Sequence, residues 1–312
     1  MSKNSLRIVF MGTPEFAVPS LKLLLQNGYH IVAVVTAPDS YGGRGGKELI
    51  QSAVKKFSVD HHLQILQPVK LRDAHFIETL KALDANLFIV VAFRMLPRVV
   101  WDLPKYGTFN LHGSLLPKYR GAAPINHAIM RGEKETGVTT FKLKHEIDTG
   151  DMVYQAHIPI EKDDTAGSIH DKLMILGAET ILKTVKSIED GSLELIPQNP
   201  DTASDAPKLN LGTTMINFNQ NAETVFNFIR GLSPYPGAWA RIDQKLTKII
   251  EADYYLENTN VLAGSVVVDG IQALKIKCLD GWIVIKKLKM EGKKMMDAKS
   301  FLLGRRTIHK NN

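Results

Sequence analysis

Residues 6–35 read LRIVFMGTPEFAVPSLKLLLQNGYHIVAVV, and this stretch decides the fold class. Leu6–Phe10 is a short apolar run of the kind a strand buried on both faces requires. Gly12-Thr13-Pro14 interrupts it. Phe16, Ala17, Leu21, Leu24 and Leu25 then recur at helical spacing, and Gly28 supplies a C-terminal stop. Ile31–Val35 is a second apolar run. Strand, helix and strand in so short a span predict a parallel pair joined by a right-handed crossover.

Outward from there, Leu87–Phe93 and Phe109–Leu111 repeat the strand signature and extend the predicted parallel sheet. A long helix is predicted from Asp164-Thr165 to Glu189, with Ile169, Leu173, Leu176, Ile181, Val185 and Ile188 as its apolar stripe and Gly191 as its end. The stretch ELIPQNPDTASDAPKLN, residues 194–210, holds three prolines and few large apolar residues after Ile196, so 194–208 is expected to be a linker. A helix is expected at Ala222–Leu232. Turn signals at Asp269-Gly270 and Asp280-Gly281 then separate alternating runs. Leu274, Ile276 and Cys278 share one face, with Lys275 and Lys277 on the other; Ile283, Ile285 and Leu288 form a similar set with lysines between. The chain thus reads as an α/β protein: a parallel-sheet N-terminal domain, 1–193, and a smaller OB-like β-barrel, 209–312, with a lysine-rich outer face.

The 312 residues suit two domains, and their single cysteine, Cys278, permits no intrachain disulfide. After Arg7 the apolar run Ile8–Met11 is too short for an export signal, and no stretch is apolar enough to span a membrane. A cytoplasmic protein is expected. The net charge of +7 is uneven: residues 1–208 carry +1, with 24 Lys+Arg against 23 Asp+Glu, and 209–312 carry +6, with 15 against 9. A basic tail predicts a polyanion contacting it, although a basic solvated surface has the same composition.

Several motifs fail on inspection. Gly42-Gly43-Arg44-Gly45-Gly46-Lys47 lacks the hydroxyl residue of a Walker loop, since Glu48 stands there, and it lacks the third glycine of a dinucleotide fingerprint. What remains is a flexible basic loop. His61-His62 has no partner at metal spacing, and Cys278 has no histidine near it in sequence, so covalent catalysis is not expected. Chemistry-bearing residues concentrate instead in NLHGSLLPKYRGAAP, residues 110–124, followed by Asp148-Thr149-Gly150-Asp151. Asn110 and His112 sit at a strand end, two apart and so on one face, where open parallel sheets bind ligands. A histidine can take a proton from an amine, Asp148 can stabilise the charged ring, and Asn110 can hydrogen-bond a developing oxyanion. Each also has a structural reading, as a satisfied strand-end histidine, a turn aspartate and an ordinary polar residue.

NLHGSLLPKYRGAAP, with ETGVTTFKL and IDTGDM after it and MGTPEFAVPSL before it, resembles the signature of the folate-dependent formyltransferases along essentially the whole chain. The resemblance implies a Rossmann-like first domain, an OB-like second domain and no metal. It puts the catalytic role on Asn110, His112 and Asp148. It implies 10-formyltetrahydrofolate as donor, with the pterin near Phe93, Met95, Leu96 and Pro97 and the turn Ser114, Leu115, Leu116 and Pro117. The acceptor it implies is the amino group of initiator methionyl-tRNA, met by a monomer through a basic loop at Pro38–Lys56, with Arg44 and Lys47, and through Lys286, Lys287 and Lys289. Ala92–Pro97, AFRMLP, is closer to the matching segment of glycinamide ribonucleotide formyltransferase. Three other readings stand beside this one: an amino sugar nucleotide as acceptor, hydrolysis with water as acceptor, and a nucleic-acid-binding protein without activity. The intact Asn110, His112 and Asp148 argue against the last.

Overall fold

The computed structural model describes residues 6–42, 45–269 and 273–309, the side chains of 305–309 excepted. Along the chain run β1 (Arg7–Gly12), α1 (Val18–Gln26), β2 (His30–Val35), β3 (Ser40–Gly42), β4 (Glu48–Ile50), α2 (Ala53–Asp60), β5 (Ile65–Leu66), α3 (Ala74–Ala82), β6 (Leu87–Val91), α4 (Arg98–Trp101), β7 (Thr108–His112) and β8 (Arg120–Gly121). Then come α5 (Pro124–Met130), β9 (Glu135–Lys142), β10 (Met152–Pro159), α6 (Ala166–Asp190), β11 (Asp205–Ala206), α7 (Ala222–Gly231), β12 (Ala238–Ile242), β13 (Lys245–Leu256), β14 (Val266–Asp269), β15 (Ala273–Lys277), β16 (Gly281–Met290), β17 (Met296–Asp297) and α8 (Ala298–His309). Two compact units result. One holds Met1–Gly121, Gly137–Ile158 and His170–Asp205; the other holds Ala122–Thr136, Pro159–Ile169 and Ala206–Asn312.

The first unit is built on a seven-stranded sheet in the order β10-β9-β7-β6-β1-β2-β5. β5, β2, β1, β6 and β7 run parallel. The chain adds β2 and β5 on one side of β1, then crosses to β6 and β7 on the other, so the direction of winding switches between β1 and β6. Val9 and Met11 pack with Phe76, Leu80 and Phe88 in one cluster. The alternate residues Ile8 and Phe10 are buried as well, so both faces of the strand are covered. Asp73 caps α3, its side chain accepting from Phe76 N, and Ser52 caps α2 in the same way from Lys55 N.

The sheet is not wholly parallel, because β9 pairs with β7 in the antiparallel sense. Its sequence, ETGVTTFK, hides a buried strand behind threonines. Burial is tolerable since the hydroxyls are satisfied: Thr139 Oγ1 donates to the Ser114 carbonyl at 2.7 Å, and Thr140 Oγ1 meets Thr184 Oγ1 at 2.8 Å. The expected loop at Pro38–Lys56 is largely regular. In its described residues β3 pairs with β4 in the antiparallel sense, with Tyr41 opposite Leu49, and α2 follows. Segment 194–208 contains a 3-10 turn, Pro200–Thr202, and strand β11, which pairs with β8.

The second unit is an antiparallel sheet in the order β12-β13-β16-β15-β14, with β17 beside β16. This is the separate, smaller β domain expected after the parallel-sheet one. Val225, Phe226 and Ile229 of α7 pack with Ile249, Leu274, Ile276, Ile283 and Ile285. Arg230 is buried and donates to the carbonyls of Glu161 and Asp164 and to Asn227 Oδ1, which ties residues 159–169 to α7; burial lowers its guanidinium pKa. Lys277, expected on the outer face, is instead buried, 1% exposed. Its Nζ donates to the Glu257 carbonyl at 3.1 Å and lies 5.6 Å from the Trp282 ring centre. No described helix is long and apolar enough to cross a membrane.

Candidate active site

β7 sets the site by alternation. Leu111 points at α6, where a Cβ on Gly177 would come within 2.5 Å of Leu111 Cδ2. Asn110 and His112 therefore face the other way. Asn110 lies between Val90 of β6 and Phe141 of β9, and its Oδ1 is buried without a hydrogen-bond partner among the described residues. A buried, unpaired amide oxygen is costly in isolation, so this one is poised for an N–H brought by a ligand.

His112 is 6% exposed. Its Nε2 lies 2.8 Å from the Tyr119 carbonyl oxygen, which can only accept, so Nε2 carries the hydrogen. Nδ1 is then the nitrogen free to gain a proton, and it faces Asp148 Oδ2 at 3.7 Å. That separation is too long for a hydrogen bond and short enough for a charge pair once the ring is protonated. Asp148 Oδ2 is itself held by the Gly121 amide at 2.8 Å.

Asp148 has φ +54°, a conformation in which aspartate is among the better tolerated residues. Gly150 follows, and a Cβ there would lie 1.7 Å from the Lys142 carbonyl oxygen, so the turn from β9 to β10 closes only around glycine. Ala92 and Tyr119 also take positive φ, +47° and +64°. Three non-glycine residues in this strained region border one site, as is common where a binding geometry is enforced by the surrounding fold.

The turn after β7 is fixed through Thr139. Its Oγ1 donates to the Ser114 carbonyl and accepts from Leu116 N at 3.0 Å and Gln155 Nε2 at 3.1 Å. The Leu116 carbonyl accepts from Gln155 Nε2, and Ser114 Oγ donates to the Lys118 carbonyl. Leu116–Pro117 is a cis peptide. Of the residues expected around a pterin, Leu96 and Leu116 are core, Ser114 is fully buried, Phe93, Leu115 and Pro97 are partly exposed, and Met95 stands 70% exposed. The main-chain amide and carbonyl of Leu116 are already engaged within the protein. Arg94 donates to the Pro68 and Val69 carbonyls, which anchors the segment leaving β6.

Of the residues expected on the polyanion side, Arg44 lies outside the described residues and Lys47 is exposed beside β4. Lys286 pairs with Asp253 at 2.7 Å, and Lys287 with Glu251. Hydrogen bonding to Asp253 holds the Lys286 ammonium above its ordinary pKa. Lys289 is exposed, opposite Lys248 on β13. Thr139, Gln155, Arg120 and Gln198 belong to the supporting shell and carry no sequence signal, since lone threonines, glutamines and arginines occur everywhere.

The family model described as formyl transferase matches residues 6–185, and the one described as formyl transferase, C-terminal domain, matches residues 208–306. A methionyl-tRNA formyltransferase of Bacteroides fragilis is 46% identical over 313 residues, covering 97% of this chain and 96% of its own. Those of Parabacteroides distasonis and Flavobacterium johnsoniae are each 47% identical, covering 99% and 96% of this chain and 98% and 96% of their own. Among solved structures, a sugar 3N-formyl transferase determined with dTDP and 5-N-formyl-THF has a TM-score of 0.68 at 23% identity, over 93% of this chain and 99% of its own. A methionyl-tRNA formyltransferase from Clostridium thermocellum has a TM-score of 0.55 at 16% identity, over 80% and 93%.

Proposed function

The chain belongs to the formyl transferase family, and on that premise we infer that it transfers a formyl group from a folate donor to the free amino group of methionyl-tRNA. The inference of formyl transfer is carried by one arrangement: a buried His112 facing a half-buried Asp148, beside the Asn110 amide oxygen that has no partner among the described residues. The choice of acceptor rests on relatives named methionyl-tRNA formyltransferase at 46–47% identity over nearly all of the chain. The likeness to sugar formyltransferases is one of fold, at 23% identity.

We propose 10-formyltetrahydrofolate as the donor. The orphaned Asn110 oxygen fits an amine hydrogen, which leaves the side-chain N–H for the formyl oxygen as negative charge develops there. The amine nitrogen attacks the formyl carbon, and the carbon–nitrogen bond to the carrier breaks. His112 Nδ1 takes the amine proton, and Asp148 steadies the resulting imidazolium. That proton is available to the departing folate nitrogen. Exposed Lys289 and Lys47, with Arg44, supply charge for the RNA phosphates, working in the cytoplasm on initiator tRNA.

A single-turnover experiment with 10-formyltetrahydrofolate and methionyl-tRNA tests this directly. The wild-type chain should yield formylmethionyl-tRNA, and Asn110→Ala and His112→Ala should each slow the step on the order of 100-fold or more. Equal rates in all three would remove these residues from the site.

A further inference from the structure

We propose that Gln198 is a positioning residue that sets the Asp148 carboxylate against His112; the inference rests on the reading of Asp148 and His112 given above. Gln198 lies in the proline-containing segment after α6. Its Nε2 donates to two carbonyls of the Asp148 turn, those of Asp148 and Gly150, each at 2.7 Å. Its Oε1 accepts from Arg120 Nε at 3.1 Å and Nη2 at 2.7 Å. Both hydrogens and both lone pairs of one amide are thus used. The orientation is forced, because turning the amide over would set N–H groups against the guanidinium and oxygen against two carbonyls.

Arg120 precedes Gly121, whose amide holds the Asp148 carboxylate. Gln198 therefore grips the turn from behind through its main chain while its neighbour in the network grips the carboxylate from the front. The same segment is anchored further along: Ser204 accepts from Arg120 N at 2.8 Å through its carbonyl and from Tyr119 N at 3.0 Å through Oγ. Tyr119 is the residue whose carbonyl fixes His112. Both members of the proton-handling pair are therefore oriented by residues 198–204. Asp148 sits at positive φ, so the turn needs external bonds to keep its two carbonyls aimed one way. An amide supplies two donors there. A carboxylate supplies none, and a thioether supplies neither donor nor acceptor of comparable strength.

The test compares Gln198→Met and Gln198→Glu with wild type, each also in an Asp148→Asn background, in steady-state formyl transfer across pH. Both single variants should lower kcat on the order of 10- to 100-fold while leaving KM for methionyl-tRNA and for the folate donor within about twofold, as misplacement of a reacting group does. The pH–rate profile should shift, because the carboxylate that stabilises the charged ring has moved. In the Asp148→Asn background the same substitutions should add nothing, since what they position is gone. Gln198→Glu keeps an acceptor for Arg120 and so is the variant to read if Gln198→Met does not fold. A kcat near wild type, or an equal fractional loss in both backgrounds, would overturn the proposal. Full activity in Asp148→Asn alone would instead sink the assignment of Asp148, a separate outcome.

Discussion

His112 carries its hydrogen on Nε2 because the Tyr119 carbonyl demands it, and this leaves Nδ1 toward Asp148. An Asp148→Asn change keeps the size and removes the charge, so it should cost on the order of 10²-fold or more in kcat/KM with little change in thermal stability; an unaltered rate would show that the pair has no part in proton handling. Cys278 gives a second expectation at this scale. Burial pushes its thiol up to about 12. Thiolate is then negligible near neutral pH, so alkylating reagents should label Cys278 only after unfolding, and rapid labelling of the native protein would contradict its buried placement. Asn110 and His112 could be singled out because they sit two apart in the dense run 110–124, and Asp148 because it lies in IDTGDM, which follows that run; the structure brings His112 and Asp148 together. Gln198 could not be, because its meaning lies in four hydrogen bonds to residues far away in sequence.

At the scale of elements, regular apolar alternation was readable and buried polarity was not. β1, β2, β6 and α6 announce themselves through Ile, Val and Leu at strand or helix spacing. β9 did not, since its threonines are buried only because other side chains and carbonyls satisfy them. Lys277 misled for a related reason: alternation placed it outside, whereas carbonyl acceptors and an aromatic face let it go in. The turn between β9 and β10 makes a prediction of its own. Gly150→Ala forces a methyl against the Lys142 carbonyl and should destabilise by about 1–3 kcal/mol with loss of activity, read by thermal melting and turnover; an unchanged melting temperature would show that the turn can relax. The segment before α2 makes another. A hydrogen bond from Lys55 holds the Asp39 carboxyl below its ordinary pKa, with Gln67 assisting. A depressed folded-state pKa stabilises above the unfolded value, about 3.9, and the benefit is lost as pH falls through the lower folded value. Asp39→Asn should therefore lower the melting temperature near neutral pH, and the difference should shrink in acid.

Over the whole molecule, the net positive charge is concentrated in residues 209–312, yet much of it is internally answered. Lys286 and Lys287 face Asp253 and Glu251, and Lys275 pairs with Asp269. Composition exposed the basic tail and could not expose this pairing, because partners on adjacent strands depend on register. Lys289→Ala should accordingly weaken tRNA binding more than Lys287→Ala and reduce the salt dependence by about one counterion; equal effects would mean that the pairs open on binding. The most direct measurement of the acceptor offers labelled 10-formyltetrahydrofolate to the protein with initiator methionyl-tRNA, an amino sugar nucleotide and water in competition. Label is expected on the methionyl amine alone. Label on the sugar, or released formate with the tRNA unmodified, would contradict this choice of acceptor.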